Sequence, residues 1–351
     1  MKIGILYDGA SATAPDQLIT GTMDAVAAEL ASEGNEIVRI PVHADAKWIE
    51  KLRRARVSLV FNLCESIDGV AAMEPPVISV LELLGLPYSG SSSWTTSLCL
   101  RKHIVNGALE RAGLPVPKFA VVRRGGSIPS VGFPAICKPA AEDASIGVEQ
   151  RSVVRTTRQL TERVSAMLER WDEVLVQRYI EGREINVGIL GDAVLPIAEI
   201  DFGRMPKGMW RIVTYRSKWE TGSDEDIGSA PRCPARLPAA IATQARKVAV
   251  AAWRLVGGSG YGRVDMRIDE QGRPWILEVN SNPDIAPDAG LARMARVAGI
   301  EYGALVRRVC ELGLQRKREE IDVAERWAMA QRLSGVTASE LAELDLFARE
   351  A

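Results

Sequence analysis

The chain has 351 residues, of which 47% are hydrophobic and 25% charged, as expected of a globular protein with two or three packed subdomains. Its formal net charge of −1 gives no basic field for nucleic acid or an anionic membrane, and no apolar run approaches the roughly 20 residues of a membrane span. Five scattered cysteines and two histidines argue against a disulfide framework, a zinc site and chemistry that needs several histidines.

The first 97 residues alternate predicted strands and helices, which is the pattern of a mostly parallel sheet with helical cover. Residues 1–9 are predicted to form a short strand and a glycine turn, without the longer apolar core of a signal peptide. The scattered cysteines favour a reducing compartment, so we expect a cytoplasmic protein. The predicted strands are 3–7, 36–40 and 58–62, and the predicted helices are 21–32 and 77–84.

The middle of the chain is predicted to continue with one helix over 97–112, which ends at Gly113 and Pro115. The following strands are predicted over 119–122, 133–138, 173–179, 184–190 and 193–201, and the helices over 156–169, 238–255, 289–297 and 301–318. The tail 319–351 is predicted to hold two helical segments split near Ser334. Its apolar stripe fits packing on the chain's own body, a subunit contact or a lid.

The most informative pattern is a predicted β-hairpin over 262–283. Both arms alternate with period two about a turn at Gln271 and Gly272. We expect Val264, Met266 and Ile268 on one face of the first arm, with Arg263, Asp265 and Arg267 on the other. In the second arm we expect Trp275, Leu277 and Val279 on one face, with Ile276, Glu278 and Asn280 on the other.

A turn symmetric about Gln271 and Gly272 places Asp265 opposite Glu278 and Arg263 opposite Asn280. Opposed carboxylates need a counter-charge. A hard divalent cation, Mg²⁺ above all, prefers such oxygen ligands and usually binds together with phosphates. The ordinary alternative is a solvated hairpin whose acids are neutralised by Arg263 and Arg267.

Two further segments fit a nucleotide. Lys138 ends an apolar strand before the small-residue loop 140–148, which suits phosphate binding by backbone N–H groups and a cation, although a lone lysine there is often simply solvated. Beyond it, exposed backbone at Tyr179 and Ile180 suits an adenine edge, and Glu184 suits ribose hydroxyls. The alternative for this segment is an ordinary connection between two strands.

These segments, in this order and spacing, resemble the ATP-grasp superfamily, in particular the D-alanine–D-alanine ligase-like carboxylate–amine ligases. The strongest match is 263–265 together with 277–283, and the resemblance covers roughly residues 1–315. It implies an α/β (α+β) fold of three subdomains with ATP held between two antiparallel sheets. The expected parts are an N-terminal subdomain 1–97, a central subdomain 98–180, a C-terminal subdomain 181–315 and a helical extension 316–351.

The resemblance also implies the roles of individual residues. ATP contacts would come from Lys102, Lys138, Ser145, Gln177, Tyr179, Ile180, Glu184 and Leu277. Two Mg²⁺ ions, or Mn²⁺, would be held by Asp265, Glu278 and Asn280. Lys218 would approach the γ-phosphate, and Arg263 would stabilise the oxyanion of a tetrahedral intermediate. The loop 203–232 would close over the site and exclude water.

The residues that bind the substrates depart from the family. Where D-alanine–D-alanine ligases carry a Glu, a Ser and a Tyr that grip the first D-alanine, this chain has Thr13, Ala144 and Trp219. The small hydroxyl residue expected at the second substrate is Ala289 or Gly290. Glu65 and Glu74 are candidates for the amine-binding role, with solvated acids as the alternative.

The sequence therefore predicts a ligase that joins small amino acids or related metabolites through an acylphosphate, with a changed donor acid. A genuine D-alanine–D-alanine ligase and a nucleotide-binding regulator without turnover are the two alternatives. We expect small-molecule carboxylate and amine substrates, no nucleic acid or membrane partner, and a homodimer, as in many relatives.

Overall fold

The computed structural model describes residues 1–9 and 14–333, with side chains over 1–9 and 20–320. Its strands form a three-stranded, a four-stranded and a six-stranded sheet. One α-helix, Tyr302–Leu333, runs through residue 316, and the division into four parts stays a prediction. The predicted tail segments beyond residue 333 lie outside the described residues.

The amino-terminal sheet is parallel, as predicted. Its strand order is β2-β1-β3, and Ile5 of β1 lies between Arg39 and Phe61 of its neighbours. The elements of this region are β1 (Lys2–Asp8), α1 (Ala14–Ser32), β2 (Glu36–Val42), α2 (Lys47–Ala55), β3 (Leu59–Asn62) and α3 (Glu74–Leu83).

The central sheet is antiparallel, with the order β4-β7-β5-β6. Its side chains Cys137, Val174 and Val176 pack against Leu160 and Val164 of the helix that follows β6. The elements are α4 (Ser93–Leu100), α5 (Lys102–Arg111), β4 (Phe119–Arg123), β5 (Ala135–Pro139), β6 (Val153–Val154), α6 (Thr157–Leu168) and β7 (Glu173–Arg178).

The single helix predicted over 97–112 is wrong. The structure has two helices, α4 and α5, with a break at Arg101, whose φ and ψ of −90° and 77° are not helical. After the break, the backbone N–H of Lys102 donates to the carbonyl of Ala140, 3.1 Å away, instead of to the preceding turn. The break therefore directs the start of α5 toward the loop after β5.

The carboxyl-terminal sheet is also antiparallel, with the order β11-β10-β8-β12-β13, and β9 pairs with β8. The elements are β8 (Arg183–Leu190), β9 (Ala193–Val194), β10 (Ala198–Asp201), α7 (Tyr215–Trp219), α8 (Asp224–Ile227), β11 (Ala230–Arg232), α9 (Ala239–Leu255), β12 (Tyr261–Ile268), β13 (Pro274–Asn280), α10 (Gly290–Val297) and α11 (Tyr302–Leu333).

The single strand predicted over 193–201 is two strands, β9 and β10. Pro196 lies between them, and proline has no N–H to donate to a sheet ladder. Leu195 N–H still donates to the carbonyl of Gly188 in β8, so the pairing is interrupted at Pro196 and resumes at Ala198.

The predicted faces of the second hairpin arm are corrected by a β-bulge. The pairing shifts between Asp265 opposite Glu278 and Met266 opposite Ile276, so Leu277 is the extra residue. Ile276 and Val279 are 0% and 2% exposed and share one core, whereas the alternation predicted them on opposite faces. The bulge preserves the polar face of Glu278 and Asn280 while both apolar neighbours stay buried.

A hydrophobic core joins the parallel sheet to the six-stranded sheet. Phe61 of β3, Tyr261 of β12, Leu291 of α10 and Val309 of α11 are buried in one cluster. The carboxyl-terminal helices therefore fix the parallel sheet against the strands that carry the predicted metal ligands. No helix in the described part of the chain is long and apolar enough to cross a membrane.

Candidate active site

Strands β12 and β13 bring the predicted metal ligands together. Asp265 lies opposite Glu278, and Arg263 opposite Asn280, as the hairpin register predicted. On the other side of Asp265, Asn186 of β8 donates its Nδ2 hydrogen to Asp265 Oδ1 over 2.7 Å. Asn186 was not predicted as a site residue, although alternation along β8 puts it on the face of Glu184.

The acids of this face already have counter-charges. Arg263 donates from Nε and Nη2 to the two oxygens of Asp265, over 2.7 and 2.8 Å. The side chains of Arg263 and Asp265 are only 22% and 16% exposed. This pair therefore differs from the solvated hairpin of the ordinary alternative. Asn280 Oδ1 accepts from the backbone N–H of Asn282, 3.0 Å away.

The predicted phosphate lysines lie beside Glu278. Lys102 is 5% exposed, with its Nζ 3.3 Å from Glu278 Oε1 and in contact with Asp143. Burial would raise the pKa of Glu278, but the charges of Lys102 and Lys138 outweigh it and lower the pKa to about 2. Burial lowers the pKa of Lys138, against the opposing charge of Glu278, so Lys138 is not simply solvated.

The loop after β5 runs alongside these charges. Ala144 and Ser145 both have left-handed backbone, with φ of 55° and 61°, a costly conformation for side chains other than glycine. Ser145 Oγ donates to the carbonyl of Val213, 3.2 Å away. Asp143, which the sequence analysis did not single out, brings an acid into this loop.

The predicted closing loop 203–232 packs against the phosphate loop. Trp219 Nε1 donates to the carbonyl of Ala144 over 3.0 Å, and Tyr215 N–H donates to the carbonyl of Val148 over 2.9 Å. Helices α7 and α8 lie within the loop. Lys218 lies beside the Trp219 ring, 5.2 Å from its centroid.

A cavity of about 1070 Å³ lies under this loop. Glu65, in the loop after β3, lines one wall of the cavity, and Arg263 of the hairpin lines another. The predicted site residues that line it are Glu65, Glu74, Ala144, Lys218, Trp219, Arg263, Asn280, Ala289 and Gly290. The structure therefore brings these residues together from stretches that are far apart in the sequence. Thr13 lies outside the described residues.

Glu74 is buried and Glu65 is partly buried at the cavity. Burial raises the pKa of Glu65 to about 7, against the nearby charge of Lys218, and burial also raises that of Glu74 well above its usual value. Glu74 is 5% exposed, and its Oε1 accepts from Asn282 Nδ2, 3.0 Å away. Tyr261 in turn donates to Asn282 Oδ1 over 2.8 Å, so Asn282 is held on both sides.

The predicted nucleoside residues lie at the other end of the hairpin face. Gln177 is 1% exposed, and its Nε2 has no hydrogen-bond acceptor among the described residues. Tyr179 donates its hydroxyl to the carbonyl of Arg211 over 3.2 Å and packs edge-on against Trp210. Leu277, the bulged residue, is partly buried.

Arg267, also missed, reaches three of these residues. It donates to Glu184 and to the carbonyl of Ile180, each over 2.8 Å, and its guanidinium lies over the Tyr179 ring. The ordinary alternative assigned Arg267 to the hairpin acids, but its partner is Glu184 of β8. Strand β8 is distant in sequence, and only the sheet order reveals this pairing.

The donor set fits a hard divalent cation that binds together with phosphate. In the described part of the chain, no three side chains from His, Cys, Asp and Glu form a ready metal site. The predicted set instead offers two carboxylates and one amide, all oxygen donors, on facing register positions. Cations on both sides of the set suit a ligand that itself carries negative charge.

The chain is similar to proteins of one family. The family model described as D-ala D-ala ligase C-terminus matches residues 108–311. The D-alanine–D-alanine ligases of Geobacter sulfurreducens and Geotalea uraniireducens are 32% and 33% identical to it, over 88% of this chain and 92% and 94% of theirs.

A solved structure shows the same likeness. The crystal structure of the D-alanine–D-alanine ligase from Bacillus anthracis complexed with ATP aligns with a TM-score of 0.75 at 26% identity. The alignment covers 91% of this chain and 99% of that one. The chain therefore belongs to the D-alanine–D-alanine ligase family, has the predicted ATP-grasp fold and is an ATP-dependent, ADP-forming ligase.

Proposed function

We propose that this ligase uses Mg²⁺ and ATP to join small amino acids or related metabolites, with a donor acid other than D-alanine. The observation that carries the proposal is the facing pair Asp265 and Glu278, flanked by Arg263 and Lys102. Arg263 and Asn280 of the same hairpin line the large cavity. Oxygen donors and cations are what a metal-bound triphosphate needs.

The reaction follows from the poor electrophilicity of a carboxylate. A carboxylate oxygen of the donor acid attacks the γ-phosphorus, ADP leaves, and an acylphosphate forms. The amine attacks the carbonyl carbon and loses a proton. The bond between that carbon and the phosphate oxygen breaks, inorganic phosphate is released, and an amide is formed. Such steps need positioning and cations more than a protein nucleophile.

Each part of the nucleotide has a proposed set of residues. Asp265, Glu278 and Asn280 would hold two Mg²⁺ ions, or Mn²⁺, which neutralise phosphate charge when bound. Lys102, Lys138 and Ser145 would bind the phosphates, and Lys218 would approach the γ-phosphate. Arg263 would stabilise the oxyanion. Gln177, Tyr179, Ile180 and Leu277 would surround the base, with Glu184 at the ribose.

The changed donor acid is proposed from the cavity. Ala144 and Trp219 bring no hydroxyl or carboxylate to the place where relatives grip an amino acid, and Thr13, Ala289 and Gly290 are the other substituted positions. Binding of a substrate ammonium group in a buried site is strongly weakened when the acid that pairs with it is lost. Glu65 and Glu74 are two of the acids that line the cavity, and they would bind an amine.

A genuine D-alanine–D-alanine ligase is the second candidate. It is favoured by the relatives, because similar chains that span nearly the same length carry that name. Family membership counts against a regulator without turnover. A homodimer and a cytoplasmic location stay predictions.

One assay separates the candidates. Phosphate release is measured with ATP, Mg²⁺ and a matrix of amino acids, and the products are identified by mass spectrometry. The proposal predicts release that requires an acid other than D-alanine together with an amine, with formation of the corresponding amide. Turnover with D-alanine alone would instead identify the second candidate.

A further inference from the structure

The large cavity ends before the predicted nucleoside residues. Its lining includes Asn280 of the proposed metal set and Ala144 of the loop after β5. Within the described part of the chain, its lining includes neither Tyr179 nor Glu184. The cavity therefore does not reach the nucleoside end of the site, where a side chain of the protein itself contacts Tyr179 and Glu184.

The side chain that contacts both residues is that of Arg267. Arg267 belongs to β12, lies opposite Glu184 of β8 and is 2% exposed. Its Nε and Nη2 donate to Glu184 Oε2 over 3.2 and 2.8 Å, and its Nη1 donates to the carbonyl of Ile180 over 2.8 Å. Nη2 also donates to the carbonyl of Arg211.

The same guanidinium covers an aromatic face. Its carbon lies 4.6 Å from the centroid of the Tyr179 ring and 5.9 Å from that of Phe202. Two directly stacked planar groups are already about 4.5 Å apart, so the guanidinium and the Tyr179 ring are in contact. No base can therefore lie between Arg267 and Tyr179. Arg267 thus holds a ring face, a backbone carbonyl and a carboxylate that a nucleoside would use.

We propose that Arg267 competes with the nucleoside for this end of the site and so sets the affinity for nucleotide. This inference rests on the proposed nucleotide site. Binding of the base requires Arg267 to leave Tyr179 and to release Ile180 and Glu184. The apparent dissociation constant is then the intrinsic one divided by the fraction of molecules in which Arg267 has left this position.

The expected sign separates this competition from general electrostatics. Removing a positive charge near a triphosphate would by itself weaken the binding of ATP. Removing a competitor strengthens it. Adenosine carries no phosphate, so its affinity reports the nucleoside end alone.

The test measures the Kd of Mg-ATP and of adenosine by isothermal titration calorimetry. Arg267→Met removes the cation and its hydrogen bonds, and we expect both Kd values to fall on the order of tenfold. Arg267→Lys keeps a charge for Glu184 but cannot span all three acceptors, so we expect a smaller fall. Arg267→Lys also decides the question if the methionine variant does not fold.

The matched control is Arg273→Met. Arg273 belongs to the same hairpin, pairs with Asp269 in the turn and is 60% exposed. Its substitution is expected to leave both Kd values unchanged. An unchanged or higher Kd in a folded Arg267→Met protein would overturn the inference, as would tighter binding of ATP without tighter binding of adenosine. If neither the wild type nor the variants bind ATP, the proposed function itself fails.

Discussion

The charged side chains of the site neutralise one another in buried pairs. Asp265 pairs with Arg263, Glu278 with Lys102, and Glu184 with Arg267. Removing one member of a buried pair leaves the other uncompensated, which usually costs more than the pair contributes. Substitutions in this set therefore change both the ligand site and the local charge balance.

Glu278→Gln is expected to lower turnover by about a hundredfold or more, because a proposed metal site loses a charged ligand. Lys102 retains its contact with Asp143, so we expect the fold to persist. The measurements are the kcat of ADP formation and the circular dichroism spectrum. Glu270→Gln, an exposed position in the turn of the same hairpin, is the control. Near-normal turnover in Glu278→Gln would contradict the assignment.

Glu65 is expected to make stability depend on pH. Its pKa of about 7 in the folded protein exceeds the usual 4.5 of an unfolded chain, so its stabilising contribution is complete below pH 4.5 and is lost as pH rises through 7. Lys218, Arg263, Asp284 and Asp143 are the charged groups that act on it. In Glu65→Gln this loss disappears.

The measurement is urea unfolding of both proteins at pH 5, 6, 7 and 8. Relative to the glutamine variant, the wild type should lose about 1–2 kcal/mol of unfolding free energy over this range, with allowance for water in the cavity. Glu65→Asp keeps a carboxyl and should keep the slope. Equal slopes in the wild type and Glu65→Gln would refute the effect.

At the scale of elements, the hairpin could be predicted and its partners could not. Alternation and a glycine turn fix Asp265 opposite Glu278 because both arms are adjacent in sequence. Asn186 of β8 contacts Asp265, and Arg267 of β12 contacts Glu184, because β8 pairs with β12. That pairing depends on the whole sheet order. The bulge at Leu277 also escaped prediction, since strict alternation assumes that no residue is inserted.

The closing loop is expected to protect the acylphosphate from water through Trp219. Trp219→Phe keeps an aromatic ring but removes the N–H that donates to Ala144, which is worth about 1 kcal/mol. We expect more phosphate released per amide formed, by up to roughly fivefold, because the loop opens more often.

The control for this loop variant is Trp275→Phe. Trp275 donates its Nε1 to Asp269 over 2.9 Å in the hairpin turn. The same chemical change outside the closing loop should leave the ratio of phosphate to amide as in the wild type. A wild-type ratio in Trp219→Phe would mean that this hydrogen bond does not govern closure.

For the whole molecule, the fold class followed from the order of motifs, while the cavity did not. Its walls come from the loop after β3, the loop after β5, the closing loop and the hairpin, and their convergence is a tertiary property. From the sequence, Glu65 and Glu74 were candidates for binding an amine, but nothing in the sequence favoured this role over that of solvated acids. For Glu74, burial and the Asn282 contact supply a reason to reject the solvated alternative.

The most direct measurement is a crystal structure with Mg²⁺ and a non-hydrolysable ATP analogue. We predict magnesium bound by oxygens of Asp265, Glu278 and Asn280, with the phosphates against Lys102 and Lys138. Arg267 should have left the Tyr179 ring, which the base should now cover. A nucleotide bound elsewhere, with those three side chains free of any ion, would contradict the account.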